Sequence, residues 1–249
     1  MKISVITVAF NNSDYIEDCI RSVLGQTYEN LEYIIVDGGS TDGTVDVIRK
    51  HQDRISKWVS ELDQGIYDAM NKGIKMATGD VIGFLHSDDF YPHENVIGQV
   101  AEAFMNSGVH SVYGDLVYVS KTNGKVVRFW RAGEFKKGLI KWGWMPPHPT
   151  FFVKKEVYEK HGCFNTNLKI AADYELILRF LGKQKITTHY IPDVLIKMRL
   201  GGISNGKIRN IIRKTLEDYE ALKINGLNGS RVLTLFFKNL SKLPQFLIK

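Results

Sequence analysis

Two adjacent carboxylates, Asp88 and Asp89, follow the strand-like run Asp80-Val81-Ile82-Gly83-Phe84-Leu85 and the pair His86-Ser87. Neighbouring carboxylates at a strand end repel each other and cost stability unless a cation joins them. Hard oxygen donors of this kind suit Mg²⁺ or Mn²⁺, whose remaining ligands are commonly diphosphate oxygens. The competing reading is a turn or a helix N-cap ahead of a helix starting near Pro92. A third acid, Asp37, ends the run Leu31–Asp37 and opens Gly38-Gly39-Ser40-Thr41-Asp42-Gly43-Thr44. It can hydrogen-bond a base or ribose edge, or cap the next helix through an Asx turn. Gly38, Gly39 and Gly43 allow tight turns and close backbone approach. The chain has neither Gly-x-x-x-x-Gly-Lys-Ser/Thr nor Gly-x-Gly-x-x-Gly, which excludes Walker-type NTPases and standard Rossmann dehydrogenases.

The elements that must hold these residues alternate in type. Ile3–Phe10 is rich in β-branched residues and reads as a buried strand. After Asn11-Asn12-Ser13-Asp14, an amphipathic helix places Ile16, Cys19, Ile20, Val23 and Leu24 on one face and stops at Gly25. A strand over 31–37, a helix carrying Val45, Val47 and Ile48, a short strand near 56–61, a helix over about 65–77 and the strand over 80–85 complete a β-α-β-α-β-α-β order. That order predicts an α/β fold with a mainly parallel central sheet and helices on both faces. Ligands of such sheets sit beyond the carboxyl ends of the strands, where each of these polar clusters falls. Beyond about Val96 the pattern predicts a hairpin (111–120 and 125–130), an aromatic, proline-containing stretch from Trp142 to Phe152, a strand over 150–154, a helix over 172–181 and a strand over 187–197.

The chain has 249 residues, enough for one elaborated α/β domain. We divide it into a body over 1–205, with halves 1–95 and 96–205, and a basic amphipathic helical tail over 206–249. The whole carries 33 Lys/Arg against 27 acids; nine and three of these lie in 207–249, so the tail holds the entire excess of +6 and the body is balanced. A basic tail fits an anionic membrane surface at least as well as nucleic acid, which is not expected as a partner. Leu233, Phe236, Phe237, Leu240 and Leu243 fall on one helical face, with Lys238 and Lys242 towards the other. That suits an interfacial helix or one packed on the body or on a second copy, which leaves a homodimer open. Cys19 and Cys163 have no metal-type spacing, and a reducing compartment fits them. No signal-peptide pattern and no apolar run near the roughly 20 residues of a spanning helix occur, so the expectation is a cytoplasmic protein, peripheral on the inner face of the plasma membrane if the tail binds lipid.

In order and spacing, several of these pieces resemble the family-2 inverting glycosyltransferases of GT-A fold: Ser4–Asn12, Ile34–Thr44, Asn71-Lys72-Gly73 through Ala77-Thr78-Gly79-Asp80, and Phe84–Asp89. Glu61–Asn71 resembles a subgroup of bacterial members that build surface polysaccharides. The resemblance implies that Thr7, Ala9, Asn11, Asp37 and Gly38 surround the nucleotide, usually at uracil. It places Lys72 near a phosphate, and Asp88 and Asp89 at the site for metal, diphosphate and ribose. His86 stands where the family commonly has Asp, and is assigned to ribose or phosphate. Ala172–Arg179 resembles the element whose aspartate is the proposed base, which maps onto Asp173; the family's preceding Glu is Ala172 here. Arg199, ahead of Ser204, is matched to a diphosphate contact, although the family's accompanying His is absent. Trp144 and His148 are assigned to the acceptor, His148 alternatively to the donor phosphate, with a packed loop as the other reading of that stretch.

The expected activity is that of a hexosyltransferase-type enzyme. It would move a sugar from a nucleoside diphosphate sugar, UDP-linked by this reading, to a hydroxyl of a saccharide or lipid-linked saccharide, with Mn²⁺ or Mg²⁺ at the leaving group. A nucleotidyltransferase of related sheet would carry a Gly-rich basic loop after strand one, where this chain has Phe10-Asn11-Asn12-Ser13. A non-catalytic nucleotide- or glycan-binding protein is the third reading, kept open by His86, Ala172 and Gly201.

Overall fold

The computed structural model describes residues 1–201, 208–226 and 231–240. Four strands, β1 (Ile3–Ala9), β2 (Leu31–Asp37), β3 (Lys57–Ser60) and β4 (Val81–Phe84), pair in parallel in the order β3-β2-β1-β4. All seven residues of β1 are buried, as a strand covered on both faces requires. Three helices make the crossovers: α1 (Ile16–Leu24), α2 (Thr44–Lys50) and α3 (Ile66–Met76). The predicted face of α1 is the buried one, with Ile16, Cys19, Ile20 and Val23 inside. Helix α3 lies so close to β1 that a methyl group on Gly73 would stand 2.4 Å from Ile6 Cγ2; only glycine fits there.

The second half comprises α4 (Val96–Ser107), β5 (Ser111–Val119), β6 (Val126–Trp130), β7 (Phe152–Lys154), α5 (Lys155–His161), α6 (Ala172–Ile177) and β8 (Thr188–Arg199). Antiparallel β7 joins β4 to β5, and β5 takes β6 antiparallel and β8 parallel, completing one eight-stranded sheet. The sheet is thus parallel in its first half and mixed in its second. One core cluster on one face includes Ile6, Met70, Phe84, Tyr174 and Phe180. The other includes Ile3, Cys19, Ile20, Val100, Phe152 and Leu195. Cys19 and Cys163 are free thiols.

Two C-terminal helices, α7 (Ile208–Ile224) and α8 (Arg231–Leu240), pack on this body, α7 against α6 and α8 against the turn Leu139–Trp142. Packing divides the face of α8 differently from its sequence pattern. Lys238, expected on the solvent side, is buried: its Nζ lies 2.7 Å from Asp218 Oδ2 and 3.3 Å from the centre of the Tyr174 ring. Phe237 is half-buried against Trp142, with ring centres 4.9 Å apart. Leu233, Phe236 and Leu240 point outward. Ser204, Lys242 and Leu243 lie outside the described residues. Among the described residues no helix is long and apolar enough to cross a membrane.

Candidate functional site

The loops after β1, β2 and β4 form one rim at the carboxyl edge of the sheet. Asn11, in the left-handed region at φ 47°, donates its backbone N–H to Ser40 Oγ (2.8 Å) and accepts from Thr41 N–H through Oδ1 (2.9 Å). Asn12 Nδ2 donates to Ser87 Oγ at 2.8 Å. Asp42 accepts from the amides of Ser13 and Thr44 and from the Thr44 hydroxyl. Desolvation pushes the Asp42 carboxyl up, but these donors outweigh it and hold it at about 2, below the ordinary 3.8. The rim is therefore fixed by local polar bonds rather than by packing.

Several residues assigned to the nucleotide are held elsewhere. Thr7 is fully buried, with its Oγ1 3.1 Å from Tyr33 Oη and 3.5 Å from Cys19 Sγ. Alternation along β1 turns its side chain under α1, so the hydroxyl cannot reach a base. Asp37 Oδ2 accepts from the amides of Gly39 and Ser40 and from the Ser60 hydroxyl, which is the Asx-turn alternative. Ala9 is buried, and its carbonyl accepts from Gly38 N–H at 2.8 Å. Lys72 Nζ sits 2.9 Å from Glu61 Oε1 and is also bonded to Leu62 O. What faces the open rim beside Gly38 is Phe10, 62% exposed, together with Asp63, whose Oδ2 would be 2.3 Å from a methyl on Gly38. Sequence reasoning passed over Phe10; its signal is an aromatic residue just past the open end of a buried strand.

The acidic loop is clamped to β8. Phe90 and Lys197 exchange backbone hydrogen bonds (3.1 and 2.9 Å). Arg199 N–H donates to Asp89 Oδ1 at 3.1 Å, and Arg199 Nη1 donates to the Asp88 carbonyl at 2.9 Å. The same guanidinium pairs with Asp18 Oδ2 at 2.6 Å and lies over the rings of Phe90 and Tyr15. Arg199, assigned to diphosphate, is thus a latch between β8, α1 and the acidic loop. Asp89 is fully buried; Asp88 is partly open. Desolvation first, then the Asp88 charge, raises the Asp89 carboxyl well above the ordinary carboxylate range, and its Oδ2 has no hydrogen-bond partner. An orphaned, high-energy carboxylate oxygen beside an open one fits a hard cation. Among the described residues no group of three or more His, Cys, Asp or Glu is gathered for a metal, so most of the cation's ligands would be substrate phosphate and water.

Asp173 stands in the first turn of α6. Tyr67 Oη donates to its Oδ1 at 3.2 Å and to the Ile170 carbonyl at 2.9 Å. His148 Nδ1 lies 3.2 Å from its Oδ2. Desolvation alone would raise the Asp173 carboxyl; His148, Lys238, the Tyr174 amide and Lys214 outweigh it and leave the group below its ordinary value. The rings of His148 and His86 are 5.8 Å apart, centre to centre. Desolvation, then the His148 charge, lowers His86 from 6.5 to about 4, so its ring is neutral at pH 7. The sequence-predicted His86, His148 and Asp173 therefore come together, with Asp88 two positions beyond His86 in the same loop.

A cleft of about 200 Å³ opens beside Asp173 and His148, walled by Tyr118, Trp130, Met145 and Met198, with Arg128, Lys214 and Lys238 supplying positive charge. Trp144, assigned to the acceptor, does not line it. Its indole N–H donates to the Ala132 carbonyl at 3.0 Å, and the ring packs against Tyr113 and Phe135. The aromatic wall belongs instead to the β5–β6 hairpin, where Arg128 lies 4.6 Å from the Tyr118 ring centre and 5.8 Å from that of Trp130.

The mixed eight-stranded sheet with its helices on both faces is that of a known family. The profile of glycosyl transferase family 2 matches residues 4–167. The chain belongs to that family. An uncharacterised glycosyltransferase of Mycobacterium tuberculosis is 35% identical over 183 residues, covering 71% of this chain and 68% of its own. A PGL/p-HBAD biosynthesis glycosyltransferase of Mycobacterium bovis is 30% identical over 226 residues, covering 88% and 82%. Among solved structures, S. aureus TarS 1–349 in complex with UDP-GlcNAc superposes with a TM-score of 0.71 at 17% identity, over 94% of this chain and 69% of that one. This chain spans only 43% of the longer TarS chain. Mannosyltransferase PcManGT from Pyrobaculum calidifontis, in complex with GDP-Man and Mn²⁺, gives 0.68 at 18% identity, over 99% and 73%. At those identities the structural likeness establishes the GT-A fold. The family match ends before Asp173, so that part of the site rests on geometry.

Proposed function

We propose that this glycosyltransferase moves a hexosyl group from a nucleoside diphosphate sugar, UDP-linked by preference, to a saccharide hydroxyl with inversion. The observation that carries the proposal is the approach of His86, which opens the acidic loop, to His148, whose Nδ1 pairs with Asp173 beside the cleft. Structural neighbours solved with UDP-GlcNAc and with GDP-Man support a nucleotide-sugar donor, and the Mn²⁺ of the latter supports a divalent ion. Asp88 is the open carboxylate for that ion, with Asp89 behind it. A bound cation would offset the charge that develops on the departing diphosphate. The rim over Phe10, Gly38 and Asn11 is the place for the nucleoside, and neutral His86 can bond to ribose or phosphate.

The chain's own groups do the rest. The acceptor enters the cleft, where sugar faces can stack on Trp130 and Tyr118. Its hydroxyl loses a proton to the Asp173–His148 pair as the oxygen attacks the anomeric carbon from the side opposite the diphosphate. In-line attack inverts that centre. A lipid-linked acceptor, and a place in cell-surface polysaccharide synthesis, are part of the proposal; the mycobacterial relative named for a biosynthetic role supports the synthetic direction. So is attachment to an anionic membrane through the outward face of α8.

The test is a thermal-shift and turnover screen of nucleotide sugars, nucleoside diphosphates and nucleoside triphosphates with Mn²⁺. The expected outcome is stabilisation by a nucleoside diphosphate and slow metal-dependent hydrolysis of the matching sugar donor, lost in Asp88→Asn. Stabilisation by triphosphates alone would show the reading to be wrong.

A further inference from the structure

The geometry points to His148 as the group that receives the acceptor's proton, with Asp173 as the residue that orients it. This rests on the glycosyl-transfer reading above and assigns its proton step.

Both oxygens of Asp173 are already engaged: Oδ1 accepts from Tyr67 and Oδ2 faces His148 Nδ1 at 3.2 Å. A carboxylate is acceptor-only, so the proton between the two residues sits on Nδ1 of His148. That fixes the neutral tautomer whose Nε2 lone pair is free to accept. His148 lines the cleft, and among the described residues nothing hydrogen-bonds its Nε2; unlike His86 Nδ1, that atom is not sealed from solvent. The side chain of His148 is 30% exposed against 18% for Asp173, so the imidazole is the more accessible of the two.

The surroundings of His148 act in opposing directions, with a net lowering. Desolvation lowers it from 6.5; Asp173 on α6 opposes this and Lys214 on α7 adds to it. Arg128, Arg199, Lys238 and Asp218 line the same cleft, and the ring centre of His86 lies 5.8 Å from that of His148. The basic form of His148 is therefore the resting form. As the acceptor oxygen bonds to the anomeric carbon, its proton passes to Nε2. The bond from that carbon to the diphosphate oxygen breaks, and the electron pair leaves with the nucleoside diphosphate. The imidazolium formed is stabilised by Asp173 and returns its proton to solvent. The arrangement of carboxylate, imidazole and hydroxyl is the one by which a weak nucleophile is activated on many unrelated folds.

Two variants separate a base from a mere brace. His148→Asn keeps an N–H donor near the position of Nδ1, so it can still hold Asp173, but it has no basic nitrogen. Full-length His148→Asn and His148→Ala are expected to lower UDP release from UDP-GlcNAc or UDP-glucose, or GDP release from GDP-mannose, about 100- to 10,000-fold. Free imidazole should restore part of the rate in His148→Ala but none in Asp173→Asn, and the thermal shift with UDP should be unchanged in all three. If His148→Asn turned over within threefold of wild type, Asp173 would be the base and the assignment would fall. A substrate-free measurement runs beside this one: ¹H–¹⁵N spectra of the histidine rings should show His148 protonated on Nδ1, switching in Asp173→Asn. Protonation on Nε2 in the wild type overturns the proposal. Absence of wild-type turnover and of any nucleotide-induced stabilisation would instead count against the transfer reading, while the tautomer still decides the pair.

Discussion

Asp88 and Asp89 are adjacent in sequence and opposite in environment. Asp88 is partly open and its carbonyl is bonded to Arg199; Asp89 is sealed, with one oxygen on the Arg199 amide and the other orphaned. Substitution should separate a chemical role from a structural one. Asp88→Asn is expected to leave the melting temperature within a degree or two and to lower metal-dependent donor hydrolysis at least about 100-fold. Asp89→Ala strips the Arg199 amide of its acceptor in a dry site and should cost about 1–3 kcal/mol in denaturant unfolding. Equal loss of stability in both would mean that the loop is only a turn. The identity of these residues was readable from the sequence because chemistry is carried by residue type. Their exposure was not, because it depends on β8, some 110 positions away in the chain. The same limit misplaced Thr7 and Trp144: a hydroxyl on a buried strand and an indole in an aromatic loop look like ligands until the core claims them.

At the scale of elements, the first 95 residues were legible because each strand and helix there buries a face that its own periodicity marks, as with Ile16, Cys19, Ile20 and Val23 on α1. The support of α6 was not. Glu217 on α7 accepts from the amides of Ile170 (2.7 Å) and Ala171 (3.1 Å), the residues that open the helix of Asp173. Asn225 Nδ2 reaches the Glu175 carboxylate at 3.2 Å. A carboxylate at a helix N-terminus also meets the positive end of the dipole. Desolvation would raise Glu217, but the Ile170 amide, Arg213 and the neighbouring amides outweigh it and lower it from 4.5. A depressed carboxyl stabilises the fold fully above its unfolded value and loses that contribution as pH falls below 4.5. Glu217→Ala should therefore cost about 1–3 kcal/mol at pH 7, measured by urea unfolding, and the gap to wild type should narrow as the pH is lowered towards 3. Because α6 then loses its brace, kcat for donor hydrolysis should fall while the KM for donor stays within a factor of two. An unchanged kcat would show that α7 is dispensable to the placement of Asp173.

For the whole molecule, the excess of positive charge found in the last 43 positions acquires a place. Helix α8 is no free tail: its Lys238 is locked to Asp218 beneath the cleft, and Thr234 donates to the Lys141 carbonyl at 2.7 Å. Its other side shows Leu233, Phe236 and Leu240, and the Trp142 at 60% exposure stands beside Phe237, which in turn touches Phe236. Exposed Lys136, Lys137 and Lys141 flank this apolar group along the neighbouring loop. Apolar side chains ringed by lysines suit the interface of an anionic bilayer, where each fully inserted large side chain contributes about 1.5–3 kcal/mol and each nearby lysine about 1 kcal/mol. The helix that would lie on lipid also lines the cleft beside Asp173 through Lys238, so under the proposed function a lipid-linked acceptor would be met at the surface where it is anchored. Full-length protein should co-sediment with phosphatidylglycerol vesicles and much less with phosphatidylcholine, and the difference should shrink at 0.5 M salt as the lysine attraction is screened. Phe236→Ser and Trp142→Ser, both at exposed positions, should each weaken vesicle binding about tenfold or more while leaving UDP-induced stabilisation unchanged. Equal binding to both lipids, or none to either, would assign the face to a second protein surface instead, and the same two variants would then be read by sedimentation velocity for loss of a dimer.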